Sequence, residues 1–181
     1  EYVKSQDAKI FLVDVWTGTG CIPISILKEL QDRILKSYAI DISVAALSIT
    51  EKNRDFHELS QKLGILEWNL FLPFLDKSFQ NLVVTANLPY ILDNDFENID
   101  DWVAKYEPHT ALFGWEQTWF ELYEKLIGQL QLVSAESIVL FIEIGFDQWR
   151  VVRDFCEFNN IEFKIYEDNG WIERCVEMKI K

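Results

Sequence analysis

Several shortages mark this sequence, and three of them each remove a class of function. No stretch approaches the roughly 18 consecutive apolar residues that a membrane-spanning helix needs, and residues Glu1 to Lys9 are too polar for a secretion signal. A soluble protein of cytoplasmic location, with no membrane contact, is therefore expected. Cysteine occurs only at Cys21, Cys156 and Cys175, an odd number with no Cys-x-x-C or Cys/His clustering, so neither a disulfide framework nor a zinc site is indicated. His57 and His109 each stand without a partner at ligand or triad spacing, and no metal is implied. Basic residues number 17 against 30 acidic ones, for a formal charge of −13, and no Lys/Arg cluster could neutralise a row of phosphates. Direct nucleic-acid binding is thereby disfavoured. An acidic surface serves solubility and would also suit a basic protein partner. Methionine occurs once, at Met178, so the chain is expected to be part of a longer polypeptide.

What is present is enough apolar material, 49% of 181 residues, for a single domain over residues 1–181 with a sizeable core. Apolar runs alternate with stretches of helical spacing. Ile10 to Val15 reads as a strand, Thr17-Gly18-Thr19-Gly20 as a tight turn, and Cys21 to Leu30 as a helix. Tyr38 to Ile40 is a second strand closed by Asp41, and Ser43 can cap a helix running to about His57. Further strands are predicted at Ile65 to Leu70, Leu82 to Val84, Ile138 to Ile144, Ile161 to Tyr166 and Arg174 to Ile180, with helices at Trp119 to Leu132 and Gln148 to Phe158. This alternation predicts an α/β fold with a mostly parallel sheet, helices on both faces, and ligands beyond the carboxyl ends of the strands. Leu92 to Glu107, rich in Asp and Asn, lacks clear periodicity and is a candidate lid or substrate loop.

Two segments carry chemistry. Asp14-Val15-Trp16-Thr17-Gly18-Thr19-Gly20 follows the first strand, where glycines let backbone amides approach a ligand and the next helix begins. Alone, such a turn is more often an ordinary strand-to-helix connection. Asp41, 21 residues beyond Gly20 at the next strand end, sharpens it, because an acid there can accept hydrogen bonds from both ribose hydroxyls of an adenosine-containing cofactor. The second segment is Asn87-Leu88-Pro89-Tyr90 after the fourth strand. Methylating a planar amide or amine nitrogen requires its N–H groups to be held while its lone pair faces the methyl donor. The Asn87 side-chain oxygen and the Leu88 carbonyl can accept those two bonds, Pro89 stiffens the turn, and Tyr90 offers an aromatic face.

These segments resemble a known family. Asp14 to Gly20 with Cys21-Ile22 is similar to the cofactor loop D-x-G-T-G-S-G-C-I of the release-factor glutamine methyltransferases, and Asn87 to Tyr90 with Ile91 is similar to their N-P-P-Y-I. Further matches are Tyr106-Glu107-Pro108 with Ala111 to Gly114, Glu121-Leu122-Tyr123, Glu143-Ile144-Gly145 with Gln148, and Glu173-Arg174. The resemblance implies a Rossmann-like, seven-stranded class I methyltransferase sheet with an antiparallel last strand. It implies S-adenosylmethionine as cofactor, S-adenosylhomocysteine as product, and methylation of the side-chain nitrogen of the glutamine in the Gly-Gly-Gln motif of a peptide chain release factor. By position it places Asp14, Trp16, Thr17, Gly18 and Gly20 along the methionine part of the cofactor, Asp41 and Ile42 at the ribose, and Asn69 and Leu70 by the adenine. Asn87 borders both cofactor and substrate, and Asn87, Leu88, Pro89 and Tyr90 form the catalytic turn. The family's N-terminal helical domain is expected to be absent from this chain, and a monomer is expected.

Glycine is the last shortage. It stands at seven positions, about 4% of the chain against a usual ~7%, and tryptophan is over-abundant at seven. Trp16, Trp115, Trp119 and Trp149 each occupy a place where the family carries glycine, and Trp68 and Trp171 join them on weaker alignment; Trp102 does not. The matched deficit and excess lead to the expectation that a glycine codon, UGA, has been rendered as tryptophan. The rival account is an outlier whose cofactor loop has decayed. An indole at position 16 would crowd the cofactor, and would also strain the backbone if that position requires positive φ. Leu88, in place of the family's first proline, keeps the carbonyl that matters. Two other functions remain open: an adenine-N6 or other nucleic-acid methyltransferase, since N-P-P-Y presents an exocyclic amine equally well, and a non-catalytic binding module that retains only the fold.

Overall fold

A computed structural model describes residues 2–5, 8–89 and 119–180. The predicted Tyr90, the candidate lid, His109, Trp102, Trp115 and the Tyr106 to Gly114 block lie outside them. The described elements are α1 (Tyr2–Ser5), β1 (Ile10–Val15), α2 (Cys21–Leu30), β2 (Ile34–Asp41), α3 (Val44–Phe56), β3 (Leu63–Glu67), β4 (Ser78–Ala86), α4 (Glu121–Leu130), β5 (Ser134–Glu143), α5 (Trp149–Phe158), β6 (Glu162–Glu167) and β7 (Glu173–Ile180). Short 3-10 turns at Gln31–Arg33 and Leu72–Phe74 complete them.

The strands form one seven-stranded sheet in the order β3-β2-β1-β4-β5-β7-β6. The first five are parallel, and β7 runs antiparallel to both β5 and β6. Successive residues of β1 point to opposite faces, as the two-residue period demands. Ile10 and Leu12 enter one core with Ile24 and Leu27 of α2. Val13 and Val15 enter the larger core with Leu122, Tyr123, Leu126 and Ile127 of α4 and with Val152 and Cys156 of α5. Helices therefore cover both faces, which is why β1 is apolar along nearly its whole length. None of the described helices is long and apolar enough to cross a membrane.

Several strands start earlier than their apolar runs. β2 begins at Ile34 rather than Tyr38, β4 at Ser78 rather than Leu82, and β5 at Ser134 rather than Ile138. The first four residues of β4 and β5 are only partly buried and alternate in exposure, and they pair with each other, Ser78 opposite Ser134 and Asn81 opposite Ser137. Ladder pairing extends these strands where local polarity argues against it. β3 ends at Glu67 rather than Leu70, because Leu70 takes φ 52 in a turn that returns its buried side chain to the core.

The chain steps from β1 outward to β2 and β3, then crosses back to place β4 on the other side of β1. A crevice opens at such a reversal, beyond the carboxyl ends of the strands. Both chemistry-bearing turns are there: register pairs Val15 with Ile40 on one side and with Ala86 on the other, so Trp16, Asp41 and Asn87 leave the sheet at the same level.

Candidate functional site

The turn after β1 is held mainly by backbone groups and by α3. Thr17 N–H donates to Ile40 O over 2.9 Å, and Gly20 N–H donates to Thr17 O over 2.9 Å. From α3, Thr50 Oγ1 donates to Gly18 O (2.8 Å) and Asn53 Nδ2 donates to Thr19 O (2.9 Å). Gly18 and Gly20 have φ 57 and 79, the left-handed region where a side chain is disfavoured. Their surroundings differ. Among the described residues, a Cβ on Gly18 would meet nothing within 4 Å, whereas one on Gly20 would stand 2.8 Å from Thr50 Cγ2. Gly18 thus opens onto free space where a ligand can approach the backbone, and Gly20 is small so that α3 can pack.

Asp41, at the end of β2, is buried. Its Oδ2 accepts from Gly18 N–H (2.9 Å) and its Oδ1 from Ser43 N–H (2.8 Å), which leaves each oxygen one further acceptor site. Ser43 Oγ in turn accepts from Ala46 N–H over 3.2 Å and caps α3, a contact worth about 1 kcal/mol. Asp14 is fully enclosed: Thr17 Oγ1 donates to its Oδ2 (2.6 Å) and Thr85 Oγ1 to its Oδ1. Burial pushes the Asp14 carboxyl up to about 6, against the pull of those two hydroxyls, and the charge on Asp41 adds to the rise. Thr85 thereby links the end of β1 to β4 two residues before Asn87, a role that no local pattern announces.

Beyond β3, Asn69 is exposed and Leu70 is buried. Trp68 N–H donates to Asp41 O over 3.0 Å, so this turn borders Asp41, and Ile42 is exposed beside it. The residues expected to meet an adenosine, Asp41, Ile42, Asn69 and Leu70, therefore share one rim. Leu70 can take part only through its backbone. Open space at Gly18, an acid with spare acceptor capacity and a rim of mixed polarity fit S-adenosylmethionine, with one discordant residue. Trp16 has φ 63, and its half-buried indole packs against the larger core.

The turn after β4 is held differently, by side chains distant in sequence. Leu88 N–H donates to the Tyr123 hydroxyl (3.1 Å), and that hydroxyl donates to Glu143 O (2.7 Å). Tyr123 is fully buried on α4, so its hydroxyl buttons the turn to the end of β5. Asn87 is exposed, and its Nδ2 donates to Glu143 Oε2 over 3.0 Å. Leu88 and Pro89 are buried, and the Leu88 carbonyl lies 3.4 Å from the Tyr123 hydroxyl. A cavity of about 450 Å³ adjoins Asn87, lined also by Ile22, Glu143, Asp168, Arg174 and Cys175. Arg174 Nη1 donates to Ile144 O over 3.3 Å. Burial, with the charges of Glu143 and Glu177, pushes the Cys175 thiol up to about 11, which leaves it protonated and a poor nucleophile at neutral pH. All three cysteines are free thiols, and no metal-binding cluster occurs among the described residues.

Of the described tryptophans proposed to replace glycine, two sit in glycine-like backbone conformation: Trp16 and Trp171, the latter at φ 62 in the β6–β7 turn, where its N–H donates to Asp168 O. Trp68, Trp119 and Trp149 are outside the left-handed region. Trp149 opens α5 with the Arg150 and Arg153 guanidiniums 5.2 and 5.3 Å from its ring centroid. For these three the conformation gives no reason for glycine.

Strand order, crevice and glycine turn define a class I methyltransferase fold. Solved structures share it at low sequence identity: the ribosomal protein L11 methylase of Lactobacillus delbrueckii subsp. bulgaricus (TM-score 0.61, 15% identity, 98% of this chain and 72% of that one) and TrmK of M. capricolum in complex with S-adenosylhomocysteine (TM-score 0.61, 12% identity, 99% and 66%). Among curated proteins, the chain is similar to the release factor glutamine methyltransferase of Aquifex aeolicus, 30% identical over 171 residues and 94% of this chain. It is likewise similar to that of Bacillus subtilis, 26% identical over 177 residues and 96% of this chain. It spans 59% of the length of each. No family model matches the sequence. The resemblance read from the cofactor loop and the Asn-Leu-Pro-Tyr turn is thus borne out along nearly the whole chain.

Proposed function

We propose that this chain is the catalytic part of an S-adenosylmethionine-dependent methyltransferase whose substrate is the glutamine side-chain amide in the Gly-Gly-Gln motif of a peptide chain release factor. The observation that carries the reading is the exit of the Gly18 turn and the Asn87 turn from adjacent strands at one end of the sheet, within a chain similar to curated enzymes of that name. When bound, the cofactor supplies a methyl group activated on a sulfonium. This chain contributes binding and orientation. The Gly18 amide region and the Asp14 side of the turn receive the methionine part, Asp41 the ribose hydroxyls, and the rim at Ile42, Asn69 and Leu70 the adenine. Asn87 Oδ1 and the Leu88 carbonyl accept the two N–H bonds of the substrate carboxamide and so leave its nitrogen facing the donor. The acidic surface, at net charge −13, suits a basic protein loop better than a phosphate backbone. Monomeric action in the cytoplasm belongs to the same reading.

The test is methyl transfer from labelled S-adenosylmethionine to a full-length release factor, to the same factor with its Gly-Gly-Gln glutamine replaced by alanine, and to RNA and DNA. Label on the first alone is the expected result. Label on nucleic acid would transfer the reading to an exocyclic amine. No binding of S-adenosylmethionine, even with glycine at positions 16, 115, 119 and 149, would leave a binding module.

A further inference from the structure

We propose that Glu143 is a positioning residue for methyl transfer: its carboxylate decides which end of the Asn87 carboxamide is offered to the substrate. The inference rests on the amide-methylation reading above. A carboxamide is nearly symmetric in shape, and steric fit alone does not choose between presenting its oxygen and presenting its NH₂. The chemistry does choose, because a substrate N–H must be met by an acceptor. An NH₂ group in that place would repel the substrate.

Glu143 supplies the missing asymmetry. A carboxylate carries no proton and can only accept. Asn87 Nδ2 donates to Glu143 Oε2 over 3.0 Å; rotated by half a turn, Asn87 would set its own oxygen against that carboxylate oxygen, two acceptors in contact. The NH₂ end is therefore committed to Glu143, and Oδ1 to the opposite side, where it is free of competition from the carboxylate. A hydrogen bond to an ionised partner is also stronger than a neutral one, and it polarises the amide so that Oδ1 accepts more strongly.

The fold keeps Glu143 in place for this role. Ala86 lies opposite Ile142 in the β4–β5 ladder, which makes Asn87 and Glu143 the next residues at the carboxyl ends of paired parallel strands. The Tyr123 hydroxyl donates to the Glu143 backbone oxygen and accepts from Leu88 N–H, so one buried group fixes both the residue that sets the polarity and the turn that uses it.

A merely structural glutamate is separated from this role by exchanging the polarity of the pair. Asn87→Asp brings two carboxylates together and destroys the arrangement. Adding Glu143→Gln restores a donor to one carboxylate oxygen and leaves the other as acceptor for the substrate. With release factor as substrate, Glu143→Gln alone is expected to lower kcat about tenfold, with KM and S-adenosylmethionine affinity within about twofold of the parent. Asn87→Asp is expected to lower kcat about a hundredfold or more, and the double variant to recover about tenfold over Asn87→Asp. Side-chain NMR of the parent and of Glu143→Ala provides a readout that needs no turnover: the hydrogen-bonded Asn87 Nδ2 proton should move upfield while the backbone fingerprint elsewhere is retained. A double variant no better than Asn87→Asp, or an unmoved Nδ2 resonance in folded Glu143→Ala, overturns the proposal. If the parent methylates no release factor, the amide reading fails by itself, and the Nδ2 resonance alone decides whether Glu143 orients Asn87.

Discussion

The two turns that meet in the crevice are built in opposite ways. The β1 turn is a local object: its glycines, Thr17 and the start of α2 lie within a few residues, and what reaches it from afar binds mostly backbone atoms, as Thr50 and Asn53 do. The β4 turn has almost no support of its own. Leu88 is held by a hydroxyl 35 residues away and Asn87 by a carboxylate 56 residues away. On the proposed function, a cofactor site can be cut from a short stretch of backbone, whereas a site that must orient one particular nitrogen depends on side chains that only the packed sheet brings together.

The contrast is broken most sharply at Asn87. Asn87→Ala should reduce methyl transfer at least a hundredfold, the scale of losing one orienting contact, while calorimetry finds S-adenosylmethionine affinity within about twofold of the parent. Loss of cofactor binding in the same variant would mean that the two turns are one unit.

Asp14 tests the buried link between them. Its folded carboxyl stands at about 6 and its unfolded one near 3.8. Below the lower value both states hold the proton. As pH rises from there to about 6, the unfolded chain has released a proton that the folded one still keeps, so stability falls, and above about 6 it levels off. The full change is on the order of 3 kcal/mol. Denaturant melts of Asp14→Asn should lack this fall, and parallel pH dependence in the two proteins would place the carboxyl elsewhere.

Tyr123→Phe removes the buried hydroxyl and strands Leu88 N–H and Glu143 O, a loss of about 1–3 kcal/mol in stability. It should lower kcat more than it changes cofactor affinity, which a β1-side defect would not do.

The smallest effects come from the strained tryptophans. A left-handed residue costs about 1–2 kcal/mol unless it is glycine, so Trp171→Gly, whose indole is exposed, should raise stability by about 1 kcal/mol, whereas in Trp16→Gly the relief of strain is offset by loss of the indole packed against the core. Only Trp16→Gly should tighten S-adenosylmethionine binding in calorimetry, since Trp171 lies in the β6–β7 turn. Equal or weaker cofactor binding after Trp16→Gly would remove the argument that glycine belongs at that position.

Much of this could be read along the chain. β1, α2, α3 with its Ser43 cap, and the placing of Asp41 at the end of the second strand all follow from periodicity and turn chemistry over short spans. The strand starts at Ile34, Ser78 and Ser134 could not be read, because ladder partners rather than local hydrophobicity hold them. Glu143 and Tyr123 stood inside family-like blocks with no role attached.

Sequence alone determined the alternation of strand and helix, the glycines that permit left-handed backbone, and the acid and amide at strand ends, because each depends on neighbours within a turn or two. Tertiary structure alone decided that Asp14 is shared by two hydroxyls, that Trp16 is strained, and that Asn87 faces Glu143. Those outcomes depend on which strands lie side by side, and hydrogen bonds between strands far apart in sequence exist only after the sheet has closed over its core.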